Sequence, residues 1–322
     1  MLLGFDIGGT KCAVILGKDE NEALQIIDKN VTPTNKPVYE MIEYLFTMAE
    51  TMLQKNSVTN DDLKGIGISC GGPLSSKRGL VLSPPNLPGW DNIPIVELTQ
   101  SRFKKNTLLQ NDANAGAIAE WKYGAGKGYE HLIFLTFGTG MGAGLILNGK
   151  LYAGATDLAG EVGHIRLAEM GPVGFGKTGS FEGFCSGGGI AQLAQIKVRQ
   201  KFQMGEKVSI CNGFDDLPNL TAKTVAEAAY KGDEVAIDIY KTCAEFLGRG
   251  LAVLIDVINP ELIILGSIYG RAKSLIEPHM RKTLEEEAIS TSYKNCRIVS
   301  PGLSENIGDM AALALARESM FV

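Results

Sequence analysis

The residues with the most obvious capacity for chemistry come first: Asp6-Ile7-Gly8-Gly9-Thr10-Lys11, between the apolar runs 2–6 and 12–16. Glycines lack Cβ and let successive amides face phosphate oxygens, Thr10 and Lys11 add donors, and Asp6 at a strand end can hold a hydrated Mg²⁺. An ordinary type I′ or II′ turn with a solvated lysine fits the same six residues. A second glycine run, Gly138-Thr139-Gly140-Met141-Gly142-Ala143-Gly144, lies between HLIFLTF (131–137) and LIL (145–147). It leads into a strand, not a helix, and no acidic residue follows a second strand at the distance dinucleotide binding needs, so a Rossmann reading fails. Two such turns about 130 residues apart are better explained as duplicated lobes that grip one triphosphate.

Asn111-Asp112-Ala113-Asn114 sits where a strand gives way to a helix. Capping of the helix explains these residues. So does chemistry: a carboxylate at the carboxyl end of a central strand can accept the proton of an attacking hydroxyl. Glu161 and His164, with Glu182 further on, supply acceptors and a switchable donor for vicinal hydroxyls, or are a structural histidine among solvated acids. The segment from Gly171 to Thr178 satisfies G-x-x-x-x-G-K-[ST]. A P-loop needs a helix directly after it, and the glycines of GSFEGFCSGGG argue that none starts there.

Alternating elements position these residues. The run 2–6 and its continuation at 12–16 form a hairpin, residues 38–55 an amphipathic helix, and 65–70 a buried strand. A helix near 95–104, a strand at 107–110 and a helix over 113–123 follow. Asn148-Gly149 signals a type I′ turn, a long helix runs over 233–258 to Asn259-Pro260, and ELIILG (261–266) is a buried strand. A last helix spans 306–321. Such alternation indicates an α/β fold, and 322 residues suit two lobes.

Composition narrows the partners. Lys+Arg number 31 against 36 Asp+Glu, a net charge of -5, which asks for neither nucleic acid nor an anionic membrane. Six cysteines without a C-x-x-C, an opening that enters a structural motif at once, and the lack of any 18-residue apolar run lead us to expect a reducing, cytoplasmic setting.

Taken in order, DIGGTK (6–11), GIGISCGGP (65–73), NDANAGAIAEW (111–121), GTGMGAGLI (138–146), GEVGH (160–164), INPELIILG (258–266) and the closing helix resemble the ROK family of repressors, open reading frames and kinases. The resemblance implies a two-lobed ribonuclease H-like, actin-like fold, with a small lobe of residues 1–115 plus 303–322 and a large lobe of 116–302. It implies an ATP-dependent kinase that phosphorylates the C6 hydroxyl of a glucose-like hexose. N-acylhexosamines and fructose are alternative substrates, and a sugar-responsive regulator is the alternative from another class, although a regulator's DNA-binding segment finds no room ahead of the first motif. A homodimer is implied by family likeness alone.

By position, Asp112 resembles the catalytic base, and Asn111, Asp112, Glu161, His164 and Glu182 resemble ligands of the sugar, joined by Gly72 and Asn86 in covering loops. Asp6, Gly8, Gly9, Thr10 and Lys11, with Gly138, Thr139, Gly140 and Gly142, would hold ATP phosphates, Asp6 would hold Mg²⁺ through water, and Gly266 would face adenosine. Family members carry C-x-C-G-x-x-G-C-x-E, whose thiolates and the G-H histidine bind zinc. Val173, Phe175 and Ser180 stand here instead of the cysteines, so no zinc is expected, and burial of Val173, Phe175 and Phe181 is expected to hold the loop.

Overall fold

The computed structural model describes residues 1–20 and 23–321. The chain opens with β1 (Leu2–Ile7), β2 (Lys11–Glu20), β3 (Ala23–Pro33), α1 (Val38–Lys55), β4 (Gly65–Cys70), β5 (Leu74–Ser75) and β6 (Leu80–Val81). Next come α2 (Ile95–Phe103), β7 (Thr107–Asn111), α3 (Asp112–Tyr123), β8 (Leu132–Leu135), β9 (Ala143–Leu147) and β10 (Lys150–Leu151). A small hairpin, β11 (Val173–Gly174) and β12 (Lys177–Thr178), precedes α4 (Phe181–Phe184), α5 (Gly187–Gln203), α6 (Ala222–Tyr230) and α7 (Glu234–Ile258). The chain ends through β13 (Leu262–Leu265), α8 (Ser267–Arg271), α9 (Lys273–Glu287), α10 (Ser290–Asn295), β14 (Arg297–Val299) and α11 (Ile307–Glu318).

Two compact units result, one of Met1–Glu130, Gly144–Ala159 and Pro301–Val322, the other of His131–Ala143 and Gly160–Ser300. The expected boundary after residue 115 falls inside α3 and does not hold. Ala115, Ile118 and Ala119 of that helix are buried with Ala311–Ala316 of α11, so burial keeps α3 whole within the first unit. Buried Glu120 adds to this by accepting from Ala125 N at 2.8 Å, Gly302 N at 3.0 Å and Leu303 N at 2.9 Å.

In the first unit the sheet runs β3-β2-β1-β4-β7, with β1, β4 and β7 parallel. Strand β1 is buried along nearly its whole length because successive side chains serve two cores. Leu3, Phe5 and Ile7 join Met41, Leu45 and Phe46 of α1, while Leu2 joins Ala13, Ile15 and α11 on the opposite face. Helix α11 lies unusually near the strands, since a Cβ on Gly67 would stand 2.1 Å from the Ala312 carbonyl oxygen. In the second unit β8, β13 and β14 form a parallel trio that repeats the arrangement of β1, β4 and β7. Each trio starts from the strand preceding a glycine turn, as duplication leads one to expect. No helix among the described residues is long and apolar enough to cross a membrane.

Candidate active site

Aligned backbone pairs place Ile7, Cys70 and Asn111 side by side across β1, β4 and β7. Asp6 and Asp112 therefore stand at one edge of the first unit's sheet, where three parallel strands end. Asp6 is pushed up to about 6 from an ordinary 3.8, chiefly by burial, then by the negative charges of Asp112 and Asp309, with Lys11 and Lys29 opposing. Lys29 Nζ also donates to Asp309 Oδ2 at 2.6 Å. A carboxyl held uncomfortably among other carboxyls is a fitting partner for a hydrated divalent cation, which would relieve that repulsion.

Asp112 is the first residue of α3, and its Oδ1 accepts from Ala113 N at 2.8 Å. Asn111 caps the helix, its Oδ1 accepting from Asn114 N at 2.8 Å. Asn111 therefore satisfies the orphan amide of Asn114, while Asp112, bonded to the next amide, is exposed. That side chain is exposed to solvent, yet enough protein crowds around the carboxyl for desolvation to raise its pKa.

Four residues link Ile7 to Cys12, and Gly8 N donates to Lys11 O at 3.1 Å. This is not the two-residue turn expected, and neither Gly8 nor Gly9 has positive φ. Gly9 is required for proximity: a Cβ there would meet the Asn86 carbonyl oxygen at 2.3 Å. The loop that carries Asn86 is pinned by buried Leu87 and Trp90, which leaves Asn86 exposed against the hairpin. Gly72, in a cis peptide with Pro73, lies beside Asn111, whose Cβ would be 3.9 Å from an added Cβ. Thr34, which no motif marks, fixes the hairpin from outside by donating to Gly8 O at 2.6 Å.

In the second unit the other glycine turn closes through Thr136, which donates to Gly142 O at 2.9 Å through its backbone and accepts from Gly142 N at 2.8 Å through Oγ1. Glu182 Oε2 accepts from Met141 N at 2.9 Å and would lie 2.8 Å from a Cβ on Gly140. Glu182 therefore belongs to this glycine turn as much as to the segment that carries Glu161 and His164. That segment also meets Glu182 directly, since a Cβ on Gly163 would sit 3.2 Å from the Glu182 Cβ. Glu161 and His164 are exposed.

The residues in place of the cysteines behave differently from expectation. Phe181 is buried, but Val173 is 45% and Phe175 70% exposed, so apolar burial does not hold this loop. Hydrogen bonds do. Gln192 receives Val173 N and donates to Val173 O, both at 2.9 Å. Buried Ser180 accepts from Gly183 N at 3.1 Å, and Lys177 Nζ donates to His164 O at 2.7 Å. Among the described residues no three His, Cys, Asp or Glu side chains are grouped as a metal ion would need. The Lys-Thr of the apparent P-loop is the returning strand of this hairpin and its second glycine lies in the turn, so no helix begins there.

A helix does start among the glycines after it, contrary to expectation. Ser186 caps α5 by accepting from Gly189 N at 2.9 Å, and Gly187 N donates to Gly138 O at 2.7 Å. Glycine is the residue that fits here, because a Cβ on Gly189 would strike the Gly183 carbonyl oxygen at 2.1 Å. The start of α5 and the glycine turn together form one end of a cavity of about 870 Å³, lined further by Thr221, Tyr230, Ser267, Ile268 and Arg271. Gly266 is not on its wall. It packs on the backbone of β8, with an added Cβ 2.8 Å from Leu135 O, and so delivers Ser267 and Ile268 to the cavity.

The sequence signature of the ROK family matches residues 2–319. The chain belongs to the ROK family. A glucokinase of Thermotoga maritima is 27% identical over 318 residues, covering 98% of this chain and 97% of the relative. A xylose repressor of Caldicellulosiruptor bescii is also 27% identical and covers 99% of this chain, but 78% of the repressor. The crystal structure of a ROK glucokinase from Streptomyces griseus in complex with glucose and AMPPNP superposes with a TM-score of 0.77 at 28% identity, covering 98% of this chain and 99% of that one. The fold is accordingly that of the ROK sugar kinases, the actin-like ATPase fold. This ROK protein is similar to kinases and repressors alike.

Proposed function

We propose that the protein is an ATP-dependent hexose kinase that phosphorylates the primary C6 hydroxyl of a glucose-like sugar, with Asp112 as the base. The observation that carries this reading is the solvent-facing Asp112 carboxylate at the sheet edge it shares with Asp6 and the first glycine hairpin. Asp112 takes the hydroxyl proton as that oxygen attacks the γ-phosphorus of ATP; the bond to the β,γ-bridging oxygen breaks and ADP departs. Raised by desolvation, the Asp112 carboxyl is a better proton acceptor than an ordinary carboxylate.

Asn111, Gly72, Asn86, Glu161, His164 and Glu182 are the proposed sugar contacts. Gly8, Gly9, Thr10 and Lys11, and Gly138, Thr139, Gly140 and Gly142, are proposed for the phosphates, and the cavity bearing Thr221 and Ile268 for the nucleoside. Asp6 would hold Mg²⁺ through water, and the ion would supply positive charge to the transferring phosphoryl group. The likeness to a glucokinase crystallised with glucose and AMPPNP supports both substrates.

A regulator that binds sugar without turnover is the second reading, favoured by the repressor relatives. Measurement of ADP release over a panel of hexoses, with glucose, N-acetylmannosamine and fructose included, tests both. Sugar-dependent release supports the kinase; binding without release supports the regulator. Metal analysis of the same protein is expected to find no stoichiometric zinc.

A further inference from the structure

Hairpin β11–β12 pairs Gly174 with Lys177, so Phe175 and Gly176 alone form its turn. Both have positive φ, +42° and +73°, the signature of a type I′ turn. Asn148-Gly149 makes the same turn elsewhere with φ of +52° and +62°, using the residue pair that tolerates it best. Phenylalanine is a poor choice for the first position, because its Cβ crowds the backbone in the left-handed region. Nor does the ring recover that cost by burial, as Phe175 is 70% exposed. Strain without compensating burial is a common mark of a functional position.

What the ring does touch is His164, edge to face, with centroids 6.2 Å apart and planes at 73°. From the same hairpin Lys177 Nζ holds the His164 carbonyl oxygen at 2.7 Å. Backbone and ring of His164 are therefore both held from β11–β12. Gln192, paired with Val173, and Ser180, whose Oγ donates to Gly174 O at 3.4 Å, anchor the hairpin without using Phe175.

We propose that Phe175 is a positioning residue: its ring braces the His164 imidazole in the orientation that receives the sugar hydroxyl. The proposal rests on the kinase reading for the identity of the ligand, but its geometry does not. A residue kept for this purpose at the expense of the turn makes an unusual prediction, since stability and affinity should move in opposite directions.

Phe175→Asn removes the ring and gives the turn the Asn-Gly pair it prefers, whereas Phe175→Tyr keeps the ring. For F175N we expect the thermal midpoint to rise by about 2 °C. Glucose affinity by calorimetry should fall about three- to tenfold, with AMPPNP affinity unchanged. F175Y should bind glucose as the wild type does. The chain has three histidines, so the ring protons of His164 can be followed by NMR against those of His131 and His279. Loss of the Phe175 ring current should shift His164 alone. A wild type that binds glucose but releases no ADP sinks the kinase reading and leaves this one standing. F175N that binds glucose as tightly as the wild type, that loses stability, or that leaves the His164 ring protons in place overturns the proposal.

Discussion

Replacement of Asp6 by Asn should stabilise the unliganded protein above pH 6 and do little near pH 4. The folded carboxyl titrates at about 6 against an ordinary 3.8. A raised carboxyl keeps its proton longer in the native state, so the native state binds more protons than the unfolded chain between these values, and stability falls as pH climbs through them. At about 1.4 kcal/mol per pH unit the gap is worth about 3 kcal/mol at most, less whatever solvent screens from a partly exposed side chain. Asn is nearly isosteric and cannot ionise, so it removes this cost. Urea unfolding between pH 4 and 8 provides the assay, followed by fluorescence of Trp90 and Trp121, both of which lie in the first unit. The difference between D6N and wild type should grow from pH 4 to about 6 and then level off. Mg²⁺ should narrow it by stabilising the wild type. A difference that stays constant across this range would refute the assigned electrostatics.

Other substitutions probe separate links. Asp112→Asn should lower turnover by about 10² to 10⁴ and leave ATP affinity intact, measured by ADP release and calorimetry; near-normal turnover would remove Asp112 from its role. Glu120→Ala takes the shared acceptor from three partly buried or exposed amides and leaves a gap where a buried side chain stood, and should destabilise the first unit by about 2 kcal/mol in the same fluorescence assay, whereas a loss below about 0.5 kcal/mol would mean water replaces the carboxylate. Gly9→Ala places a Cβ against Asn86 O, forces the hairpin and the 84–90 loop apart, and should raise KM for both substrates about tenfold; unaltered steady-state kinetics would show that the contact is dispensable.

Local patterns made much of this legible. Apolar spacing located α1, and Asp233 with Asn259-Pro260 bounded α7, where Asp233 Oδ1 receives Ala236 N at 2.8 Å and Asn259 takes a left-handed C-cap. The strand ends bearing Asp6 and Asp112 were visible for the same reason. Features decided by distant neighbours were not. Three consecutive glycines argue against a helix start when only propensity is weighed, yet Gly189 has no space for a side chain beside Gly183, and Ser186 supplies the cap. Val173 and Phe175 read as apolar and hence buried, but they sit on an exposed hairpin whose stability comes from Gln192, a residue no motif marks. Likewise the walls of the large cavity come from α5, α6 and α8, which only folding brings together.

The placement of α11 among β1, β4 and α3 has a consequence for biosynthesis. A ribosome emits the strands of the first unit before their covering helix, with the whole intervening unit made in between. At roughly 5–20 residues per second, β1 waits on the order of ten to sixty seconds with one apolar face uncovered. The nested unit can fold during that interval, so chaperone demand should concentrate on the strands that wait for α11.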